Sequence, residues 1–114
     1  MHIDHYSFGS ITVDHATYNS DVILSPEGVN DHWWRREGHR LDVGDLGPVL
    51  ESHPEVLIIG TGNVGCMQVP EETARHLASL GIEVHMARTG EAVSIYNKLE
   101  RQHKAIAAAL HLTC

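Results

Sequence analysis

Cysteine is scarce in this sequence, and so are aromatic residues and long apolar runs. Two cysteines, Cys66 and Cys114, are too few for the disulfide framework of a small secreted domain. One Phe, two Trp and three Tyr leave most of the core to aliphatic side chains and alanine. No apolar run approaches the roughly 20 residues of a membrane-spanning helix, and no signal or transit peptide is visible at the N-terminus. We therefore expect a cytoplasmic protein with reduced thiols and no membrane insertion.

Positive charge is also scarce. Eight Lys and Arg residues stand against fifteen Asp and Glu, which gives a formal net charge of -7 at pH 7. Nucleic-acid-binding surfaces need clustered Lys and Arg, so the composition argues against a nucleic-acid partner. Among the ten histidines, tight ligand-like spacing occurs only in His2/Asp4/His5 and in His111/Cys114, at opposite ends of the chain. Because a zinc site needs three or four converging ligands, we predict no metal site.

The first part of the chain, residues 1–40, has the pattern of β structure. Alternating apolar residues predict strands at 8–13 and 18–24, joined by a turn at "DHAT". The turn-forming "SPEG" then precedes a third predicted strand, "VNDHWW". Residues 42–51 place apolar side chains on one helical face but include two glycines and a proline, so we predict a short, broken or 3₁₀-like element.

From residue 55 onward, over 55–114, the pattern becomes strand, helix, strand, helix, strand. "EVLIIG" is a continuous apolar strand of the kind that is buried on both faces. The first helix is predicted to begin at Pro70 and to end at Gly81. The second is predicted to be capped by Thr89. "AIAAALHL" closes the chain as a buried strand. Such alternation indicates a parallel or mixed sheet covered by helices, with the N-terminal β unit packed on it.

The stretch "GTGNVG" has the G-x-G-x-x-G spacing of dinucleotide-binding loops. In those loops a helix begins at the third glycine and its N-terminus holds the pyrophosphate. Here "CMQV" separates Gly65 from the predicted helix, and the position expected to be acidic holds Arg88. Arginine at that position can instead accommodate the 2′-phosphate of NADP. The glycines therefore serve either as a tight exit from the strand or as the rim of a crevice for a small anion or metabolite.

Asp21 is the other candidate pocket residue, since it stands among apolar residues in "SDVIL". If it points inward it needs hydrogen-bond partners, either in a structural role or as an acid in a pocket. The complete set of candidate ligand-binding residues is Gly60, Thr61, Gly62, Asp21 and Arg88. No partner base is identifiable for Cys66, and we predict no catalytic residues and no cofactor.

Two adjacent tryptophans in "DHWWRREGH" form the candidate interaction surface. On a strand, neighbouring side chains point to opposite faces, so we expect one tryptophan to pack inside and the other to be exposed beside the arginines. Trp and Arg are enriched at binding hot spots. The candidate residues are Trp33, Trp34, Arg35 and Arg36. The alternative is that the two tryptophans cover the two faces of a sandwiched sheet.

Several segments in order along the chain resemble one small domain family, which includes the adipogenesis-associated protein of vertebrates and a mitochondrial complex I assembly factor. They are "YNSDVIL", "HWWRREGH", "VLIIGTG", "VPEET…LASLGIEV", "EAVSIYNKL" and "LHLTC". The resemblance implies no established enzymatic activity, cofactor or catalytic residue. Its pattern includes Gly60 and Gly62 but not Gly65. The segment "DVGDLGPVL" departs from it, where relatives have a better helix former.

The expected fold is a single compact three-layer α/β domain over residues 1–114. It has a mixed central sheet with helices on one side and an additional antiparallel β layer. The function we expect is that of a non-enzymatic protein-interaction or assembly-factor-like module with a small-ligand pocket at Gly60–Gly62 and an unidentified protein partner. The alternative is a small NADP- or anion-binding enzyme that uses the same loop and Arg88.

Overall fold

The computed structural model describes residues 1–102 and 105–114. Within these residues the chain forms strands, α-helices and one 3₁₀ turn, Val43–Leu46. The strands are β1 (Ile3–Ser7), β2 (Ser10–Val13), β3 (Ala16–Tyr18), β4 (Val22–Ser25), β5 (Gly28–Asn30), β6 (Val56–Thr61), β7 (Glu83–Ala87) and β8 (Ile106–His111). The α-helices are α1 (Gly47–Glu51), α2 (Glu71–Ser79) and α3 (Thr89–Leu99).

A five-stranded mixed sheet in the order β5-β4-β8-β6-β7 forms the centre of the molecule. β6 is parallel to both β7 and β8, whereas β4 pairs antiparallel with β8. β8 is buried along its whole length, and β6 is buried except at Thr61, as expected for parallel strands covered on both faces. The register places Thr61 beside His111, so the carboxyl ends of β6 and β8 meet at one edge of the sheet.

The additional antiparallel layer is the three-stranded sheet β1-β2-β3. It packs with α3 on one face of the central sheet, where Ile11 and Tyr96 share a cluster with Ile58. The opposite face is covered by α1 and α2, with Leu77 packed against Leu57 and Ile59. The mixed central sheet and the extra antiparallel layer are thus confirmed.

The placement of the helices on one side is wrong. The connection from β6 to β7 moves outward across the sheet, whereas the connection from β7 to β8 returns past β6 to its other side. Parallel crossovers are right-handed. Two such crossovers in opposite directions put α2 and α3 on opposite faces of the sheet.

The N-terminal part differs from the sequence prediction in how its strands divide. The predicted strand at 18–24 is two strands in different sheets, since β3 ends at Tyr18 and β4 begins at Val22. Period-2 alternation describes a strand but does not tell which sheet it joins. The predicted turn at "DHAT" is present, with Asp14 and His15 at positive φ. β1 was not predicted, and neither tryptophan lies in a strand because β5 ends at Asn30.

Most of the remaining elements follow the pattern. Residues 42–51 form the predicted broken element, a 3₁₀ turn followed by the five-residue α1. Gly81 takes a φ of +76° just after α2, as a glycine that ends a helix does. Both helix starts differ by one residue from the prediction. Pro70 is the N-cap of α2, which begins at Glu71. Arg88 occupies the N-cap position of α3, and Thr89 is its first residue, with a buried side chain.

Candidate functional site

A largely buried ion pair lies where the chain passes from the small sheet to the central one. Asp21, just before β4, places its Oδ2 2.8 Å from Arg35 Nη1 and 2.7 Å from His111 Nδ1. Its Oδ1 accepts a 2.7 Å hydrogen bond from the amide of Leu112. Burial raises the pKa of Asp21, but the hydrogen bonds from His111, Leu112 and Arg35 outweigh it and bring the pKa below its ordinary value. Asp21 is therefore held as a carboxylate by residues of this chain.

The His111 ring is fixed by its contacts. Nδ1 is 2.7 Å from the Asp21 carboxylate and 3.0 Å from Arg35 Nη2. Because a carboxylate only accepts and a guanidinium only donates, the shorter contact assigns the proton to Nδ1. The His39 ring stands edge-on to it at 5.6 Å between centroids. His111 Nε2 is buried and has no hydrogen-bond partner among the described residues.

The segment between β5 and the 3₁₀ turn is anchored by its own side chains. Arg35 Cζ lies 4.6 Å from the ring centroid of Trp33, a cation–π distance, and its guanidinium also donates to the carbonyl of Gly38. Trp33 Nε1 donates to the Asp45 carbonyl at 2.9 Å. The Asp45 carboxylate in turn accepts from the amides of Arg36 and Asp42. We call residues 31–42 the tryptophan loop.

The tryptophan loop separates its candidate residues into two groups. Trp33 is buried, whereas Trp34 has 75 % of its surface exposed and Arg36 is also exposed. One tryptophan inside and one outside matches the prediction. The prediction that Arg35 belongs to the interaction surface is wrong, because its side chain is only 5 % exposed and pairs with Asp21. An arginine beside exposed residues looks like a surface group in sequence, and its acidic partner lies fourteen residues earlier.

The glycine turn after β6 packs against the end of the chain. A Cβ on Gly60 would lie 2.9 Å from Thr89 Oγ1, and one on Gly62 would lie 2.6 Å from the Cys114 carbonyl oxygen. The Thr89 hydroxyl accepts from the Gly62 amide and donates to the His111 carbonyl. Gly62 has a φ of +110°, which favours glycine. The expected pocket does not open at Gly60 and Gly62, since both are buried against Thr89 and the tail, by which we mean residues 111–114.

The tail also takes up the amide donors of the following loop. Asn63 donates to the Thr113 carbonyl at 2.6 Å, and Val64 and Cys66 both donate to the Cys114 carbonyl. Successive amides of this kind form anion-binding concavities in phosphate sites. In this protein those donors bind carbonyl oxygens of the same chain.

The open space of this region is a cleft of about 630 Å³ beyond Gly65. Its lining residues are Glu37, His39, Arg40, Gly65, Cys66 and Gln68. Arg40 is paired with Asp42 at 2.8 Å and with Glu72 at 3.6 Å. The exposed Arg88 side chain comes close to the Gly65 backbone, with Cγ 3.5 Å from where a Cβ would be. Thr61 is partly buried, and its hydroxyl donates to the Ala87 carbonyl.

The sequence pattern does not reveal His111 and Asp45 as partners in this site. The spacing of His111 and Cys114 suggests only a metal-ligand pair, whereas in the fold the His111 ring bonds Asp21. Asp45 lies in a segment whose pattern indicates only a short helical element. Within the described residues, no group of three His, Cys, Asp or Glu side chains is placed to hold a metal ion. No helix of that part of the chain has the length and apolar character to cross a membrane.

The family profile described as "protein of unknown function (DUF498/DUF598)" matches residues 3–111. The chain belongs to this family. The match covers almost the entire sequence, including the Asp21, Arg35 and His111 positions. The DUF498/DUF598 assignment confirms a family of unknown function, and the family description names no activity.

Solved structures similar to this DUF498/DUF598 protein share its fold over nearly the whole chain. A conserved hypothetical protein from Pyrococcus horikoshii OT3 is 26% identical, with 100% of both chains covered and a TM-score of 0.84. A Bartonella henselae protein described as an outer membrane protein is 28% identical, with 98% of this chain and 94% of that chain covered and a TM-score of 0.81. A Mth938-like domain from Bordetella pertussis, 21% identical over 97% of this chain and 85% of its own, has a TM-score of 0.74 and shows the fold alone.

Proposed function

We propose that this DUF498/DUF598 protein is a non-enzymatic, cytoplasmic interaction module that binds a protein partner through Trp34 and Arg36. The observation that carries the proposal is an exposed tryptophan on a loop that buried contacts hold in place. A rigid loop loses little conformational entropy on binding, and tryptophan and arginine are the residue types that dominate binding hot spots. An assembly-factor-like role is the form of this function that the family resemblance suggests.

Two more exposed apolar side chains lie near the tail, and they are further evidence that this end of the molecule is the binding surface. Phe8 is 60 % exposed and Val64 is 57 % exposed. Gly9, next to Phe8, donates to the Leu112 carbonyl, and Val64 donates to the Cys114 carbonyl. Trp34 adjoins Arg35, which contacts His111. Val64 itself is bonded to the tail, and Phe8 and Trp34 are each next in sequence to a residue that is; exposed apolar side chains at one end of a domain favour a protein partner.

The test compares Trp34→Ala and Arg36→Ala with Leu80→Ala in affinity capture from a lysate of the source organism. Leu80 is a matched control, because it is an exposed apolar residue that follows the far end of α2. A captured protein is then purified and its Kd measured against each variant. We expect Trp34→Ala to weaken binding by about 2 kcal/mol, roughly 30-fold, and Leu80→Ala to leave it unchanged. Equal binding by all variants would contradict the proposal.

The alternative function is binding of NADP or a small anion. Because Gly60 and Gly62 are buried, the open site left for such a ligand is the cleft beside Gly65. The arginines Arg40 and Arg88 near the cleft favour an anion, while the pairing of Arg40 with two carboxylates opposes it. Thermal unfolding with NADP, NAD or phosphate separates the two functions. A bound ligand at about 100 times its Kd raises stability by about 2.7 kcal/mol. We expect no shift of the melting temperature with these ligands. A saturable shift that is lost in Arg88→Ala would instead favour the NADP- or anion-binding enzyme.

A further inference from the structure

The two cysteines of the chain lie close together beside the glycine turn after β6. They are 48 positions apart in sequence (114 − 66). In the fold the Cys66 amide donates to the Cys114 carbonyl at 2.9 Å, and both residues are exposed and free. Nothing in the strand pattern requires this meeting, since neither cysteine lies in a strand or helix. The tail brings Cys114 there by crossing over the turn at Gly62.

The separation of the two backbones suits a disulfide. The 2.9 Å hydrogen bond from the Cys66 amide to the Cys114 oxygen, added to standard backbone dimensions, keeps the two Cα atoms within about 6.8 Å of each other. Disulfides span Cα separations of roughly 4.4–6.8 Å. The neighbouring bonds, Asn63 to Thr113 and Val64 to Cys114, keep the two segments together. Exposure of both residues gives a small oxidant access to the thiols.

We propose that Cys66 and Cys114 are a redox-active dithiol that closes to a reversible disulfide. The oxidant is a low-molecular-weight disulfide of the glutathione type. The Cys66 thiolate attacks one sulfur of that disulfide and releases one small thiolate. The Cys114 thiolate then attacks Cys66 Sγ of the mixed disulfide and releases the second. Both cysteines are oxidised, and the small disulfide is reduced to two thiols, whose protons are the two that the cysteines lose.

Closure of the disulfide fixes the tail over the loop. In the reduced protein the tail is held over residues 62–66 by hydrogen bonds and packing, which a ligand or partner at the carboxyl edge of β6 and β8 can displace. In the oxidised protein the covalent link keeps the amides of Asn63, Val64 and Cys66 covered. The dithiol therefore controls access to the end of the sheet, and it does so whether or not Trp34 binds a partner.

The experiment equilibrates the reduced full chain with glutathione buffers of increasing oxidised fraction. Free thiols are then blocked, and the intact mass and the non-reduced proteolytic fragments are measured. We expect wild type to lose the mass of two hydrogen atoms and to yield a fragment that links Cys66 to Cys114. Cys114→Ser should instead keep one glutathione on Cys66, and Cys66→Ser should keep one on Cys114. The melting temperature should rise on oxidation in wild type alone.

Three results would overturn the proposal. In the first, wild type retains one glutathione on each cysteine, as each single variant does on its one remaining cysteine. In the second, the disulfide joins two chains. In the third, both thiols stay reduced in fully oxidised buffer. The serine variants replace exposed thiols by a group of similar size, and circular dichroism verifies that they are folded. The readout is covalent and does not depend on any binding partner.

Discussion

At the scale of the residue, Asp21 connects three parts of the chain. Its carboxylate bonds Arg35 from the tryptophan loop, and His111 and Leu112 from the end of β8. A charge that is removed from water is costly unless it is paired and hydrogen-bonded. The partners of Asp21 lie far from it in sequence, so the fold must bring them together. The tryptophan loop is thus tied to the carboxyl edge of the sheet through one aspartate.

Replacing this aspartate should destabilise the protein strongly. Asp21→Asn leaves the nearly buried Arg35 without its counter-ion, and we expect a loss of about 3 kcal/mol in the free energy of unfolding. Urea denaturation monitored by circular dichroism measures it. Asp4→Asn is the control, because within residues 1–102 and 105–114 the polar partners of Asp4 are exposed histidine side chains and the exposed amide of His15. The double variant Asp21→Asn/Arg35→Met should recover part of the lost free energy of unfolding. If it recovers none, the unpaired charge of Arg35 is not the cause of the loss.

The same group predicts how stability changes with acid. The folded protein holds the pKa of Asp21 below the ordinary value of 3.8. A lowered pKa stabilises the folded state above 3.8, and the contribution is lost as the pH falls through the folded pKa. Urea midpoints between about pH 5 and pH 3 should fall more steeply for wild type than for Asp21→Asn. Parallel slopes would mean that Asp21 does not contribute.

At the scale of the element, the glycine turn and the tail form one packed unit. The G-x-G pattern predicts a tight exit from β6, and the positive φ of Gly62 agrees with that. What fills the space beyond the turn is set by residues about fifty positions later, which local patterns do not reveal. The late start of α2 at Glu71 was visible in sequence, and it argued correctly against a helix beginning at Gly65.

A pair of substitutions separates backbone strain from this packing. Gly62 and Gly81 both have positive φ, but no atom of the described part of the chain outside the neighbouring residues lies within 4 Å of a Cβ on Gly81. Gly81→Ala should cost about 1 kcal/mol through backbone strain. Gly62→Ala should cost about 2 kcal/mol more, because its Cβ would overlap Cys114 and the His111 ring.

The two variants are compared by urea denaturation, together with a chain that lacks Cys114. Removing Cys114 in the Gly62→Ala background should recover part of the excess, and the coupling between the two changes measures the contact. Equal costs for Gly62→Ala and Gly81→Ala would contradict the packing of the tail against the turn.

At the scale of the whole molecule, the sequence predicted the parallel half better than the antiparallel half. In the later half each strand and helix has its own period and end signals, and β6, α2, β7, α3 and β8 all appear where they were expected. In the first half, β4 belongs to the central sheet because it pairs with β8, the last strand of the chain. Such a pairing depends on the complete fold, and so does the division of the helices between two faces.

Tyr96 joins the two sheets, and its ionisation tests that packing. It lies on α3 in the same cluster as residues of both β layers. Burial, with smaller effects of Glu100 and Asp14, raises the pKa of Tyr96 to about 12. The unfolded tyrosine loses its proton near pH 10, whereas the folded one resists, so the stabilisation that is complete below pH 10 is lost as the pH rises toward 12.

We therefore expect the free energy of unfolding to fall by about 1 kcal/mol between pH 9 and pH 11 because of Tyr96. Urea denaturation at both values measures the fall. Tyr96→Phe should reduce this fall in the free energy of unfolding. Tyr6→Phe is measured beside it, because the pKa of Tyr6 is also raised, by its burial and then by the charge of Asp21, and Tyr6 could therefore contribute to the same fall. If Tyr96→Phe keeps the full wild-type dependence, the packing of α3 between the two sheets does not raise the pKa of Tyr96, and the prediction is wrong.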